Sequence, residues 1–311
     1  MNKLPVYFAP LQGYTEAPYR NAHAAVFGGV DAYYAPFVRI DRGEFRHKDV
    51  RDVELENNRV PRLIPQLIAP TAEKAETILS LFIEKGYREV SINLGCPFPM
   101  LAKRHNGAGI LPYPDEVRSL LAFTGKFPDI RFSVKMRLGW EQPDECLALA
   151  PILNELPLTH IILHPRLGKQ QYKGEVDMEG FAAFCQVCHK PVIYNGDLTM
   201  VEDIHRLAER FPQLAGIMIG RGLLSNPALA WEYKEGKSLS TDEMKEKLRS
   251  LHAAVFSHYQ EQIQGGDGQL VKKMQSFWEY LAPQIDRKAW KAIHKSTTLE
   301  KYNVAVRMAV M

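Results

Sequence analysis

Eight short apolar segments recur along the chain, and this recurrence constrains the fold more than any other feature. The segments are rich in Val, Ile, Phe or Tyr and are bounded by Gly, Pro or Asn, as buried parallel strands tend to be. They begin at Val6, Ala32, Leu63, Glu89, Arg131, His160, Pro191 and Gly216. This pattern predicts eight parallel strands.

Segments with helical spacing separate the predicted strands. In the segment from Thr71 to Gly86, Thr71 is a favourable N-cap, Glu73 suits the first turn and Gly86 suits the end. Strands alternating with helices predict an α/β fold of the (β/α)8 TIM barrel type. A doubly wound open sheet is the main competitor. However, no GxGxxG motif follows the first strand, and eight units favour closure.

The pattern changes near residue 237. The polar stretch WEYKEGKSLSTDE is expected to be a linker, and only helical patterns follow it, interrupted by GGDG at residues 265–268. We therefore expect a catalytic barrel over residues 1–237 and a small C-terminal α-helical domain over residues 238–311.

Positive charge is concentrated in this expected helical domain. The whole chain has a net charge of +3, yet residues 237–311 contain 12 Lys and Arg against 8 Asp and Glu. Residues 1–236 contain 27 against 28. Such an excess suits contact with a polyanion, although a basic solvated surface would show it too.

Cysteine usage and hydropathy predict a cytoplasmic protein without a membrane part. Cys96, Cys146, Cys185 and Cys188 form no disulfide framework, the N-terminal apolar stretch is short for a signal peptide, and no apolar run suffices to span a bilayer. Cys185 and Cys188 precede His189, but no second pair of metal ligands is present. We expect both cysteines to pack in the core rather than bind metal.

Most residues at the ends of the predicted strands, or directly after them, are polar. TIM barrels have their active sites at these strand ends. Any one of them could simply close the top of the barrel, but their number indicates a functional site. An ammonium buried at Lys135 would need an anionic or strongly polar partner. The residues are Pro10, Gln66, Asn93, Cys96, Lys135, Arg137, His164, Asn195, Gly196, Asp197, Gly220 and Arg221.

The ends of the seventh and eighth strands predict a phosphate site. Their sequences, NGD at 195–197 and GRG at 220–222, fall where TIM barrels bind phosphate through backbone N–H groups. Lys135, His164 and Gln66 would face the other end of the ligand. A cation near a ring that becomes anionic on reduction suits a flavin. The residues thus indicate a phosphate-bearing ring cofactor.

Six segments in order along the chain resemble the tRNA-dihydrouridine synthases, which are FMN-dependent barrels with a C-terminal helical domain. The block from NxGCP to GAG is the most specific part of the resemblance. The segments are APLQGYTEAPYR, SINLGCPFPMLAKRHNGAGIL, SVKMRLGW, HPRLGKQQYKGEVDM, PVIYNGDL and IGRGLLSNP.

The resemblance implies roles for the matching residues. Cys96 would be the general acid and Asn93 would help to place the target uracil, with Arg137 beside the same pocket. Lys135 and His164 would lie at the N1/O2 side of the flavin. The remaining FMN contacts would be Pro10, Leu11, Gln12, Gln66, Asn195, Gly196, Asp197, Gly220 and Arg221.

The implied reaction is reduction of a tRNA uridine to 5,6-dihydrouridine. Hydride from reduced FMN would reach C6, a proton from Cys96 would reach C5, and NADPH would reduce the flavin again. A thiol with a pKa of about 8.5 is largely protonated at neutral pH and can still donate. No obligatory protein partner is evident.

The target base must be extracted from the folded tRNA before it can enter the active site. The basic helical domain would hold the tRNA through phosphate and shape contacts. Candidate tRNA contacts are Lys103, Arg104, Lys272, Lys273, Arg287, Lys288, Lys291 and Lys295.

Two other functions remain open from the sequence. The first is an FMN barrel that reduces a small alkene or a dihydroorotate-like substrate, which would leave the basic helical domain without a purpose. The second is a catalytically silent barrel that binds RNA or a phosphorylated ligand. The presence of both Lys135 and Cys96 speaks against it.

Overall fold

The computed structural model describes residues 3–310. The outermost residues of the two expected domains, Met1, Asn2 and Met311, lie outside that range. Strands β1 to β11 are Val6–Phe8, Ala32–Tyr34, Ile40–Asp41, Glu44–Phe45, Leu63–Ile64, Gln66–Leu67, Glu89–Leu94, Arg131–Gly139, Leu158–Leu167, Val192–Tyr194 and Gly216–Ile219.

The α-helices surround the sheet and continue beyond it. Helices α1 to α14 are Ala17–Val26, His47–Asp52, Ala72–Glu84, Pro99–Ala102, Pro114–Leu121, Glu145–Glu155, Met178–Val187, Val201–Arg210, Arg221–Ser225, Leu229–Glu235, Thr241–Gln262, Asp267–Trp278, Arg287–Lys295 and Leu299–Val310. Short 3-10 helices cover Leu55–Asn57, Gly107–Ile110, Ala122–Lys126 and Ala282–Gln284.

Nine of the strands form one parallel sheet in the order β5-β2-β1-β11-β10-β9-β8-β7-β6. Strands β5 and β6 are two halves of a single strand position, because only Pro65 separates them and each pairs with a different neighbour. Proline has no N–H to donate to a ladder, which explains the interruption. The ring therefore closes at Pro65, and the predicted TIM barrel is confirmed.

Aromatic and aliphatic side chains fill the bottom of the barrel. The Tyr34 hydroxyl lies 2.9 Å from His160 Nε2, and the Tyr7 and His160 rings are stacked. Burial lowers the pKa of His160 to about 4, so this ring is neutral and belongs to the packed floor. With its lower part filled, the barrel can accept a ligand only at the C-terminal ends of its strands.

The predicted cap at Thr71 is confirmed, whereas the predicted linker needs correction. Thr71 caps α3 by accepting a hydrogen bond from the Lys74 backbone, and Ser240 and Glu243 form the capping box of α11. The expected linker begins too early, because α10 runs to Glu235. Gly236, with a φ of +69°, ends that helix. Only the few residues before α11 form a connection.

The C-terminal helices dock against the barrel and share one continuous hydrophobic core with it. Trp278 donates a hydrogen bond of 2.9 Å to the Tyr302 hydroxyl within that core. Across the junction, Lys273 Nζ lies 2.7 Å from the Glu16 carboxylate. Within the described range of residues, no helix is long and apolar enough to cross a membrane.

Candidate active site

A cavity of about 570 Å³ opens at the C-terminal ends of the barrel strands. Its volume lies in the range of small-molecule and cofactor sites. The cavity brings together most of the residues that the sequence singled out. Those on its lining are Pro10, Leu11, Gln12, Asn93, Cys96, Lys135, Arg137, His164, Asn195, Gly196, Asp197, Gly220 and Arg221.

Strand register explains why the central polar residues meet. Asn93 of β7 is opposite Lys135 of β8, and Arg137 of β8 is opposite His164 of β9. Side chains two residues apart on a strand point to the same face. The pairing therefore places four polar side chains next to one another on adjacent strands.

An asparagine builds the turn that carries Cys96. Asn93 Oδ1 accepts hydrogen bonds from the backbone N–H groups of Gly95 at 3.0 Å and Cys96 at 2.8 Å. Asn93 Nδ2 donates to Gln66 Oε1 at 2.7 Å, and Gln66 in turn donates to Ser91 Oγ at 3.2 Å. Gln66 is fully buried and is not among the residues that line the cavity. These two amides fix the turn.

The GAG segment covers the same turn from outside. The Ala108 N–H donates to the Cys96 carbonyl at 2.9 Å. Gly107 has a φ of +62°, and a Cβ at this position would lie 2.6 Å from that carbonyl oxygen. Only glycine fits such a close approach in this backbone conformation. The spacing between GCP and GAG thus reflects direct packing of the two segments.

The Cys96 thiol keeps its proton in this environment. Burial raises its pKa, while a backbone hydrogen bond at Phe98 and the charges of Arg137, Arg39 and Lys135 act in the opposite direction without cancelling it. Cys96 is half-buried and faces the cavity. It is therefore a protonated group within reach of a bound molecule.

Positive charge dominates the cavity. Lys135, Arg137, Arg166 and Arg221 line it. The Asp197 carboxylate is shared by two of these arginines, because Arg166 donates to Asp197 Oδ1 at 3.0 Å and Arg221 donates to the same oxygen at 2.7 Å. Burial would raise the pKa of Asp197, but the two arginines hold it below its ordinary value. Asp197 therefore orients cations, and an excess of positive charge remains for an anionic ligand.

Arg137 connects the cysteine turn to the loop after β9. Its Nε donates to the Gly95 carbonyl at 3.0 Å, and its Nη1 donates to the carbonyls of Leu167 at 2.9 Å and Gln171 at 2.6 Å. Burial lowers the pKa of Arg137 to about 10, so it stays charged at neutral pH. The guanidinium thus ties together two loops at the cavity mouth.

The Tyr172 ring forms an outer wall beside two of the arginines. The guanidinium carbons of Arg137 and Arg221 lie 5.4 Å and 4.8 Å from its centroid. Both distances suit cation–π contacts. The ring therefore helps to hold the cationic side of the cavity in place.

Lys135 and His164 respond differently to the same surroundings. Burial, helped by the charge of Arg137, lowers the pKa of Lys135 to about 7. Burial and the nearby cations hold the pKa of His164 well below its ordinary value, so its ring is neutral. Arg166 Nη1 lies 3.2 Å from His164 Nε2, and arginine can only donate. The ring proton is therefore on Nδ1.

Bare backbone forms the side of the cavity at β10 and β11. A Cβ on Gly196 would lie 2.1 Å from the Tyr194 hydroxyl, and a Cβ on Gly222 would lie 2.0 Å from the Leu198 carbonyl oxygen. Gly220 precedes α9, and Arg221 begins it. Glycine backbone beside an arginine fits a phosphate. The excess of cations and this cradle together fit a phosphate-bearing, anionic ring cofactor.

The sequence-predicted tRNA contacts lie outside the cavity. Lys273 is bonded to Glu16 at the junction of barrel and helices, so its charge already has a partner. The other candidates are exposed to solvent: Lys103, Arg104, Lys272, Arg287, Lys288, Lys291 and Lys295.

Sequence reasoning missed Arg166, Tyr172 and Tyr280, which also line the cavity. Arg166 follows His164 by two residues on β9, so strand alternation could have indicated it. Tyr172 and Tyr280 lie in irregular segments, where periodicity offers no signal. Tyr280 comes from the C-terminal helical region, and its ring packs edge-to-face on Tyr14 at 5.2 Å.

The fold and the cavity define a TIM-barrel protein with an anion-accepting site and a protonated thiol at the mouth. Residues 7–307 match the family described as Dihydrouridine synthase (Dus), so the chain belongs to this family. The resemblance that the motifs indicated is thereby confirmed.

Curated relatives carry the same family name. A "Probable tRNA-dihydrouridine synthase" of Helicobacter pylori (strain ATCC 700392 / 26695) is 27% identical over 271 residues, which is 85% of this chain and 78% of that protein. The "tRNA-dihydrouridine synthase B" of Pasteurella multocida is 23% identical over 82% of this chain and 76% of that protein. Among solved structures, morphinone reductase aligns with a TM-score of 0.49 at 14% identity, over 76% of this chain and 87% of that one.

Proposed function

We propose that this protein reduces a specific uridine of tRNA to 5,6-dihydrouridine, using bound FMN and taking electrons from NADPH. The observation that carries the proposal is the position of Cys96. Its protonated thiol faces a cation-rich, glycine-lined cavity in a chain of the dihydrouridine synthase family. The alternative of a small-molecule reductase gains no support from a specific contact.

The cavity residues supply what FMN would need. Bound reduced FMN would supply the hydride that reaches C6 of the uracil. Lys135 would pair with the anionic ring, and His164 Nδ1–H would donate a hydrogen bond to it. The backbone at Gly196 and Gly220, with the Arg221 guanidinium, would hold the phosphate.

Cys96 would complete the reduction by giving its proton to C5 on the opposite face of the uracil. The raised pKa of the thiol keeps that proton available at neutral pH. Arg137, tied to the same turn through the Gly95 carbonyl, would stabilise the thiolate that forms. Asn93 and Gly107 would hold the turn so that the thiol stays directed at the base.

The C-terminal helices would hold the tRNA. On α13, Ala289 and Ile293 are buried, while Arg287, Lys288, Lys291 and Lys295 are exposed. We call these four exposed residues the α13 basic face. The α13 basic face would contact tRNA phosphates together with Lys272. Lys103 and Arg104, which follow Cys96 in the chain, would contact further phosphates.

NADPH would bind transiently at the flavin. A tRNA substrate would place the reaction in the cytoplasm.

Mass spectrometry of tRNA tests the proposal directly. The purified protein is incubated with NADPH and tRNA from cells that lack dihydrouridine. We expect one uridine position to gain the mass of two hydrogen atoms, and the heat-denatured protein to release FMN. The reaction without NADPH is the control. A colourless protein that leaves the mass of the tRNA unchanged would overturn both the cofactor and the reaction.

A further inference from the structure

A second groove, of about 450 Å³, lies beside the active-site cavity, and Gln12 and Pro36 line both. One wall comes from the barrel at α2 and the other comes from α11 and α12. Arg51 Nη1 of the barrel donates to Gln262 Oε1 of α11 at 2.9 Å, which holds the two walls together. The groove therefore exists only because the helical region docks on the barrel.

Asp49 is the unusual residue of this groove. It is only 5% exposed and lines the groove, yet its Oδ2 has no hydrogen-bond donor among the described residues. The nearest cation is Arg46, whose Nη1 lies 3.9 Å away, beyond hydrogen-bond distance. A buried carboxylate oxygen without a donor is costly, and such a group in a native structure calls for a ligand or another explanation.

The charged groups around Asp49 leave this acceptor free. Burial raises the pKa of the Asp49 carboxyl, the charges of Arg46, Lys48 and Arg39 act against this rise, and Asp52 adds to it. Asp52 is itself occupied, because it accepts from Arg20 at 2.9 Å and from the Ala17 backbone at 2.6 Å. Of the two buried carboxylates on the groove lining, Asp49 is the one with an oxygen, Oδ2, that lacks a donor among the described residues.

The rest of the groove offers what a nucleotide would need. Lys48 and Arg51 are exposed on either side of Asp49, where they can meet phosphate. His258 and Tyr259 of α11 present rings on the opposite wall, and unpaired bases stack on such rings. The Tyr259 hydroxyl donates to Glu16 at 2.9 Å, which fixes that ring. Cations, rings and one free acceptor together match a nucleotide with donors on its base.

We propose that this groove binds a guanosine of the tRNA close to the target uridine, with the Asp49 carboxylate accepting hydrogen bonds from guanine N1–H and the exocyclic N2–H. Guanine is the base whose Watson–Crick edge presents two adjacent donors, which match the two oxygens of a carboxylate. Adenine, cytosine and uracil each place an acceptor beside their donor, and a carboxylate repels it. The inference rests on the proposed function and adds a specificity contact outside the cavity that takes the uracil.

Inosine substitution tests this contact, because inosine keeps N1–H and lacks the N2 amino group. Transcripts of a tRNA that the wild type binds are prepared with each guanosine replaced singly by inosine. Dissociation constants are measured for the wild type and for Asp49→Asn, which keeps the shape of the side chain. We expect one inosine transcript to bind the wild type about tenfold more weakly. The D49N variant is expected to bind the parent transcript more weakly and to lose that discrimination.

Glu44→Gln is the matched control, since it removes one exposed carboxylate from the same segment outside the groove. It should discriminate as the wild type does. The proposal is overturned if no inosine transcript binds the wild type more weakly, which holds even if D49N fails to fold. Equal penalties in the wild type and a folded D49N variant also overturn it. A wild type that discriminates at one guanosine but forms no dihydrouridine would refute the proposed reaction and leave this site standing.

Discussion

The Cys96 thiol is held in place by backbone contacts on both sides, so its chemistry can be changed without disturbing the turn. Asn93 fixes its N–H and Ala108 fixes its carbonyl without using the sulfur, whose one backbone hydrogen bond is at Phe98. The side chain is thus separable from the architecture that presents it, which permits a clean substitution.

We expect Cys96→Ala to slow uridine reduction by about 10²- to 10⁴-fold, the usual contribution of a positioned general acid. Flavin content and tRNA affinity should not change, because the sulfur holds neither. Single-turnover reduction of tRNA by the prereduced enzyme measures the rate. Cys185→Ala, which alters a thiol outside the cavity lining, is the control. Wild-type rates for Cys96→Ala would remove the thiol from the mechanism.

The pKa of Lys135 leads us to expect that FMN affinity depends on pH. The pKa of the free lysine is about 7, so it is charged below that pH and loses its proton above it. Because an anionic ligand prefers the charged form, FMN affinity should fall as the pH rises from 7 to 9, by at most about tenfold per pH unit. Lys135→Met should bind FMN more weakly and lose this dependence.

Flavin fluorescence titrations of the apoprotein at several pH values give these affinities. Lys169→Met, which changes an exposed lysine paired with Glu141 at 2.5 Å, is the control and should behave as the wild type. A Lys135→Met variant with an unchanged pH profile would show that another group responds to pH.

Residue types at strand ends were predictable from sequence, whereas their partners were not. Lys135, Arg137 and His164 could be found because buried strands rarely carry such groups without a purpose. The assignment of Asp197 to the cofactor did not foresee its bonds to Arg166 and Arg221, since these join strand β9, the turn after β10 and helix α9. The hydrogen bond that joins Gln66 to Asn93 was likewise not foreseen. Such contacts depend on three-dimensional proximity that linear spacing does not encode.

At the scale of elements, the close approach of α9 to the turn after β10 builds the glycine cradle. Gly222 lies on α9, and a Cβ there would be 2.0 Å from the Leu198 carbonyl oxygen. The Leu198 carbonyl belongs to the backbone, so it cannot move away from an added Cβ as a flexible side chain could. The distance between these two elements is therefore set by the absence of one carbon atom.

We expect Gly222→Ala to destabilise the fold by about 1–3 kcal/mol, the usual cost of overpacking, and to weaken FMN binding because the cradle must widen. Gly268→Ala is the control, since nothing lies within 4 Å of a Cβ at that position of α12. Alanine there should stabilise the helix by up to about 1 kcal/mol. Denaturant unfolding and FMN titration measure the two effects. A Gly222→Ala variant as stable as the wild type would mean that α9 moves freely.

Strands and helices were predictable from sequence where a single pattern of apolar residues identifies the element. All eight strand positions were found, since buried parallel strands are apolar throughout. The division of the third strand at Pro65 went unrecognised, although proline in a strand is a known interruption. The β3–β4 hairpin was also missed, because strands of two residues are too short for periodicity. The helical patterns after residues 265–268 correspond to three helices, α12, α13 and α14, whose number was not predicted.

At the scale of the whole molecule, the uneven distribution of charge should govern tRNA affinity. The α13 basic face is exposed, whereas Lys273 is bonded to Glu16 and helps to hold the helices on the barrel. Changing the four residues of the α13 basic face to Ala should weaken tRNA binding. It should also lower the slope of log K against log salt by about one unit for each phosphate that the variant no longer neutralises.

Four exposed cations on the outer helices of the barrel provide a control with the same change in net charge: Lys74, Arg118, Lys126 and Arg210. Their joint change to Ala should leave the salt slope close to that of the wild type. Binding isotherms at several salt concentrations compare the two quadruple variants. If both lower the slope equally, overall charge rather than α13 determines docking.

Tyr280 lines the cavity but is synthesised after all of the barrel strands, so the cavity lining is completed late in translation. The ribosome completes every barrel strand, including those with Lys135 and His164, before it reaches Tyr280 of the cavity wall. Chains fold from the N-terminus as they emerge. Until residue 280 has emerged, the cavity lacks the Tyr280 side chain, which is placed when Glu279 accepts a hydrogen bond of 2.6 Å from the Tyr14 hydroxyl. The complete lining of the cavity therefore requires both the barrel strands and the C-terminal helices.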